Sequence, residues 1–210
     1  MRSRNFHARE RVFSEAARVA SERSGADPLC VDLGVGTGYL TRTFASRGFR
    51  VTGCDTSEEM LKVAAVEVPD ADLHHADVVA FLRRQPRDSA DFVACSSVLE
   101  YLPDPLAVIR EAAPVLKPDA ILAVSLPQRA SVSRLMQQFL MLRVPRDQRY
   151  SSQWRNRITD RDLVVEGRCV GLRLMYREFF GAFEWRGRRL PFEKHRPVAT
   201  LALHVFERHS

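Results

Sequence analysis

Short apolar runs of β type recur through the first part of the chain, at 29–33, 49–54, 71–75, 92–96 and 121–126, and helix-like stretches separate them. That alternation predicts βαβ units and a parallel sheet. Residues 9–24 are alanine-rich and stop at Gly25, which reads as a helix covering the first strand. Thr56 and Glu59 form a T-x-x-E capping box opening a helix to Val66, and Asp104 before Pro105 caps a helix reaching Leu116. Both helices therefore begin just after strands. Beyond Leu126 the rhythm loosens. A helix over 131–142 places Leu135, Phe139 and Leu142 on one face, an arginine-rich connection runs from 143 to 158, and a T-x-x-D pattern opens a short helix over 159–170 that stops at Gly171. Two β-like runs, 172–180 and 198–207, close the chain and are joined by the polar segment 181–197.

With 210 residues, 45% of them hydrophobic, the chain has apolar material for one sizeable core, so a single domain over 1–210 is expected. No apolar run approaches the roughly 18 residues of a membrane span, and the basic start lacks the apolar stretch of a secretion signal. The expected location is the cytoplasm. Cys30, Cys54, Cys95 and Cys169 lie far apart without C-x-x-C spacing, which argues for reduced, mostly buried thiols.

The formal net charge of +6 is uneven. Up to Ala130 there are 16 Lys and Arg against 18 Asp and Glu, and beyond it 16 against 8, nearly all of the later cations being arginine. A planar guanidinium fork suits phosphate, carboxylate or nucleic-acid partners better than an ammonium does. A solvated arginine-rich surface is the alternative.

Candidate chemistry centres on Val31-Asp32-Leu33-Gly34-Val35-Gly36-Thr37-Gly38-Tyr39, an apolar strand entering a turn with glycine at alternate positions and then a helix. Glycine lets the backbone bend sharply and lets a ligand lie against N–H groups at a helix start. Asp55 ends the next strand 17 residues after Gly38, where a carboxylate can accept hydrogen bonds from ribose hydroxyls. Together these imply a nucleotide-sized ligand. Tyr39 stands where the third glycine of G-x-G-x-x-G would fall, which disfavours a dinucleotide, and no Lys-Ser or Lys-Thr follows to make a P-loop. A purely structural glycine turn remains the alternative.

On these residues the chain resembles the class I S-adenosylmethionine-dependent methyltransferases, in particular the small-molecule branch that includes the ubiquinone-biosynthesis O-methyltransferases. The resemblance implies a doubly wound, Rossmann-like α/β fold with a seven-stranded sheet, an antiparallel last strand and helices on both faces. It implies S-adenosyl-L-methionine as methyl donor, leaving S-adenosyl-L-homocysteine, with Asp32 near the methionine amino group and Gly34, Gly36 and Gly38 lining the donor. It further implies Asp55 at the ribose, Asp77 and Val78 by the adenine amino group, Met60 and Leu61 packed on adenine, and Ser96 in the block 91–102 that walls donor from acceptor. The family's usual Glu-His ending of that block is here Glu100-Tyr101. Glu100 and Tyr101 are thus the candidate bases, with His195 a further one. Met60 and Leu61 read equally as core residues of an amphipathic helix.

Missing motifs narrow the acceptor. There is no N-P-P-Y or D-P-P-Y after strand four and no Pro-Cys nucleophile, which argues against DNA-base methylation, and the magnesium-binding acidic trio of catechol-type relatives is absent, so no metal is expected. The expected acceptor is a small organic molecule, with a natural-product, quinone-like or glycan hydroxyl favoured over nitrogen or carbon. RNA methylation and an inactive donor-binding scaffold are the alternatives. By the family topology the two segments 127–158 and 181–197 are substrate-side insertions on the sheet's carboxyl edge. They carry Arg129, Arg134, Arg143, Arg146, Arg149, Arg155, Arg157, Arg186, Arg188, Arg189, Lys194 and Arg196, so an anionic or carrier-borne acceptor is expected. The apolar cluster Leu135, Met136, Phe139, Leu140, Met141 and Leu142 reads as core, lid or peripheral membrane contact, and Trp154 as a stacking surface or an anchor.

Overall fold

The computed structural model describes residues 4–128, 155–181, 184–185, 188–189 and 199–209. The first half runs α1 (Arg4–Arg23), β1 (Leu29–Leu33), α2 (Tyr39–Ala45), β2 (Arg50–Asp55), α3 (Glu58–Glu67), β3 (Asp72–His75), α4 (Val78–Leu82) and β4 (Ala90–Cys95). A 3-10 turn (Leu99–Tyr101), α5 (Leu106–Ala112) and β5 (Leu116–Pro127) follow. The remainder holds α6 (Asp160–Cys169), β6 (Leu172–Phe180), the two-residue strands β7 (Glu184–Trp185) and β8 (Arg188–Arg189), and β9 (Leu201–Arg208). Seven strands form one sheet in the order β3-β2-β1-β4-β5-β9-β6. β1 to β5 pair in parallel, whereas β9 is antiparallel to both of its neighbours. The strand order thus reverses between β1 and β4, the crevice where open α/β sheets bind ligands.

The central strands are buried on both faces, which is why they read as continuous apolar runs rather than alternating ones. Alternate residues still serve different layers. Val12, Phe13, Ala16 and Ala17 of α1 and Phe44 of α2 meet Cys30, Phe92, Ile121 and Val205 on one face. Val78 and Phe81 of α4, Ile109 of α5 and Leu163 of α6 meet Val31, Leu33, Val93, Leu122 and Phe206 on the other. At the amino end of β1, buried Asp91 accepts the Leu29 N–H (2.9 Å) and pairs with Lys117 (2.7 Å), fixing β1 against β4 and β5. Three thiols, Cys30, Cys54 and Cys95, are buried, and Cys169 is exposed.

Several local expectations change. α1 begins earlier than expected and packs mainly across β4, β5 and β6 rather than on the first strand. The cap of α3 is Ser57, not Thr56: Ser57 Oγ accepts the Met60 N–H (3.3 Å), while the Thr56 carbonyl lies 3.0 Å from His75 Nε2. α5 ends at Ala112 instead of reaching Leu116, because Pro114 has no N–H to continue the helical ladder and Leu116 pairs with Ala90 as the start of β5. β5 therefore takes up residues before Ile121, with a register irregularity opposite Ala90 and Phe92. The α6 capping box forms as read: Thr159 Oγ1 accepts the Asp162 N–H and Asp162 accepts the Thr159 N–H. The expected helix over 131–142, with its apolar cluster, and Trp154 lie outside the described residues. Among the described residues no helix is long and apolar enough to cross a membrane.

Candidate active site

At the carboxyl ends of β1, β2 and β4 the sheet opens into a cavity of about 1140 Å³. Its floor is the glycine turn. Gly34, Gly36 and Gly38 all have positive φ (77°, 55° and 80°), a conformation that L side chains resist. The three glycines differ in what surrounds them. A Cβ on Gly34 would stand 2.3 Å from Val98 Cγ2, and one on Gly38 3.0 Å from Ala64 Cα, so both are required by packing. A Cβ on Gly36 would meet nothing within 4 Å, since that position faces the cavity. Gly34 and Gly36 line the cavity, whereas Gly38 holds the turn against α3.

Asp32 is 2% exposed and its Oδ2 accepts the Thr41 hydroxyl at 2.7 Å. Burial pushes its carboxyl up to about 6, the Asp55 charge adds to the rise, and the Thr41 hydrogen bond opposes it. Asp55 sits at the next strand end. Its Oδ2 accepts the Gly36 N–H (2.8 Å) and its Oδ1 the Ser57 N–H (3.0 Å), so its carboxylate is oriented by the glycine turn and by the start of α3. A carboxylate keeps further acceptor positions after two such bonds. Asp77 caps α4 by accepting the Val79 and Ala80 N–H groups, and with Val78 it lines the cavity beside Met60, which is 44% exposed. A methionine left that open on a helix is not a core residue. Leu61 does not line the cavity.

The opposite wall comes from the segment after β4. Ser96, Ser97, Val98, Tyr101, Leu102 and Pro103 line it, and Ser96 Oγ is a buried atom without a hydrogen-bond partner among the described residues. Ser97 adopts positive φ (56°) and donates its N–H to Ser125 Oγ (2.8 Å), tying the tips of β4 and β5 together. Of the two neighbouring candidate bases, Tyr101 lines the cavity, but Glu100 is 2% exposed and stays outside its wall. His195 lies outside the described residues, as do Arg129, Arg134, Arg143, Arg146, Arg149, Arg186, Lys194 and Arg196, so the segments 127–158 and 181–197, expected on the substrate side, are described only in part.

Sequence reasoning missed several wall residues. Phe6 and Arg9, from the first turns of α1, line the cavity, with the Arg9 guanidinium 5.6 Å from the Phe6 ring centroid. Tyr39 also lines it and donates its hydroxyl to Glu10, which binds α2 to α1. Gly53 is a fourth necessary glycine: a Cβ there would meet Val35 Cγ2 at 2.6 Å and the Asp32 carbonyl oxygen at 2.7 Å. Asn156 donates to the carbonyls of Leu99 (2.6 Å) and Leu102 (2.8 Å), and the Arg155 N–H bonds the Glu100 carbonyl (2.9 Å), so this short segment clamps the 3-10 turn. No sequence pattern marks a contact made across so many residues. Thr41 carried a signal, being a hydroxyl in the first turn of the helix that follows the glycine turn.

Burial pushes the Cys54 thiol up to about 12, helped by the charges of Asp32, Asp55 and Asp77, and raises Cys95 as well, so neither is a thiolate nucleophile. Among the described residues no group of three or more His, Cys, Asp or Glu side chains is placed to hold a metal ion.

Residues 31–124 match the family of methyltransferase domains. The ubiquinone biosynthesis O-methyltransferase of Xanthomonas campestris pv. campestris (strain B100) is 38% identical over 113 residues, covering 52% of this chain and 46% of that relative. The enzyme of the same description from Aeromonas salmonicida (strain A449) is 31% identical over 149 residues, covering 68% of this chain and 61% of its own length. The chain thus spans about half of these curated relatives. A solved S-adenosylmethionine-dependent methyltransferase from Archaeoglobus fulgidus superimposes with a TM-score of 0.68 at 14% identity, covering 95% and 94% of the two chains. The [4+2]-cyclase SpnF superimposes with a TM-score of 0.64 at 18% identity, covering 93% of this chain and 80% of its own. Likenesses at that identity show the fold, and the second neighbour shows that this fold hosts more than one chemistry.

Proposed function

Since this chain belongs to the class I S-adenosylmethionine-dependent methyltransferases, we propose that it transfers a methyl group from S-adenosylmethionine to a small organic acceptor, by preference to the oxygen of a natural-product, quinone-like or glycan hydroxyl. The observation that carries the proposal is the convergence of Asp32, Gly36, Asp55, Asp77 and Met60 on one cavity at the strand ends. The fit to the donor is chemical. A buried carboxylate at Asp32 suits an ammonium group, the space above Gly36 admits a ligand against the backbone, Asp55 suits ribose hydroxyls, and Met60 offers an apolar surface to a purine.

When bound, the donor supplies a sulfonium-activated methyl group. The chain's task is then to bind, align and dry the reactants, and positioning of that kind supplies about 7–11 kcal/mol. The cavity exceeds the roughly 300–1,000 Å³ of ordinary small-molecule sites, which leaves room for an acceptor beside the donor. Tyr101 is the wall residue proposed to receive or orient the acceptor hydroxyl proton. Glu100, outside the wall, acts through the turn that carries Tyr101. The proposed product is S-adenosylhomocysteine.

Titration calorimetry with S-adenosylhomocysteine tests the donor site, with micromolar affinity expected. Absence of heat at millimolar ligand would overturn the reading. Incubation with methyl-labelled donor and a set of catechols and phenols then separates methyl transfer from donor binding alone, which matters on a fold shared with a cyclase.

A further inference from the structure

We propose that the acceptor is an organic oxyanion, a carboxylate or phosphate ester, held by the guanidinium of Arg155. This deepens the methyltransferase reading and rests on it. Charge is divided across the cavity: Asp32, Asp55 and Asp77 stand at the ends of the strands on the donor side, while the cations lining it among the described residues, Arg9 and Arg155, come from α1 and from the segment beside the 3-10 turn. An acceptor placed next to Tyr101 therefore meets positive charge.

Arg155 differs from most arginines of the fold. Arg42, Arg83, Arg110 and Arg177 are each matched to a carboxylate, whereas Arg155 forms no ion pair among the described residues. Its main chain is nevertheless fixed. The Arg155 N–H is bound to the Glu100 carbonyl at 2.9 Å, and the adjacent Asn156 is bound to Leu99 and Leu102. A guanidinium on an anchored backbone loses less freedom when it binds, and its planar fork takes carboxylate and phosphate equally well. Such a contact also fixes the acceptor's distance from Tyr101, because both residues hang on the same turn.

The test uses the full chain saturated with S-adenosylhomocysteine and calorimetry with matched probes: 3,4-dihydroxybenzoate, caffeate and glucuronate, each beside its neutral methyl ester, and phenyl phosphate beside phenol. At least one acid is expected to bind about ten-fold or more tightly than its neutral counterpart, the range of a charge-assisted contact. Arg155→Gln is expected to abolish that preference and Arg155→Lys to keep part of it, with S-adenosylhomocysteine affinity changed less than about two-fold in both. The inference is overturned if no acid outbinds its partner, if the preference survives Arg155→Gln, or if Arg155→Gln weakens S-adenosylhomocysteine instead, which would assign the cation to the donor. A wild-type chain that binds no S-adenosylhomocysteine removes the underlying reading, a result distinct from all of these.

Discussion

Asp32 and the glycines beside it show how single residues divide between holding the fold and lining the cavity. Asp32 has a folded-state pKa near 6 against 3.8 for a free side chain, so the native state binds the extra proton between those values and the empty protein loses stability as pH rises through that window. Asp32→Asn, still able to accept the Thr41 hydroxyl, is therefore expected to melt no lower than the parent at pH 8 while its affinity for S-adenosylhomocysteine falls ten-fold or more. In the parent, calorimetry across pH should show that affinity weakening below about pH 6, where the carboxylate is lost. The glycines give a second contrast. Gly36→Ala should fold with only the 1–2 kcal/mol strain of a left-handed residue yet bind the donor poorly, because its methyl group enters the cavity. Gly34→Ala should lose more stability, since the added carbon collides with Val98. Urea denaturation and calorimetry on the pair separate the two effects.

At the scale of elements, the 3-10 turn Leu99–Tyr101 depends on a partner far along the chain. Asn156 supplies two of its hydrogen bonds and the Arg155 N–H a third. Asn156→Ala is expected to lower stability by about 1–3 kcal/mol in urea, the consequence of leaving part-buried carbonyls without a donor. Donor affinity should change little, because the glycine turn and Asp55 are untouched, whereas the KM for an identified acceptor should rise. This turn also shows why only part of the site was legible. The glycines and Asp55 lie directly after or at the ends of strands, where local patterning singles them out, and the family resemblance adds Asp32 and Asp77 at neighbouring strand ends. The Asn156 clamp, Arg9 and Phe6 reach the cavity only because α1 and the chain before α6 fold back to it.

Across the whole molecule, a second charged cluster joins the last part of the chain to the sheet. Asp160, at the start of α6, receives Gln128 Nε2 (3.0 Å) and Arg177 (3.0 Å), and His204 Nε2, fully buried on β9, lies 3.5 Å away. Burial alone would raise the Asp160 carboxyl, but His204, Gln128 and Arg177 outweigh it and hold the group at about 2. Its ionised form thus contributes stability above about pH 4 that disappears as pH falls through 2. Asp160→Asn should cost on the order of 2 kcal/mol at pH 7 and flatten the acid limb of a stability curve measured between pH 5 and 2. The cluster joins Gln128, just past the end of β5, to residues of α6, β6 and β9 that lie 32 to 76 positions further along the chain.

The amino-acid sequence by itself determined the alternation of strands and helices, the capping of α6 and the glycine turn after β1, because each follows from periodicity or from residues within one turn of one another. Tertiary structure decided where α1 lies, that β5 starts at Leu116, that Ser57 caps α3, and that Tyr101 but not Glu100 faces the cavity. Those outcomes depend on which buried groups find partners across the sheet, and such pairings have no signature in local spacing.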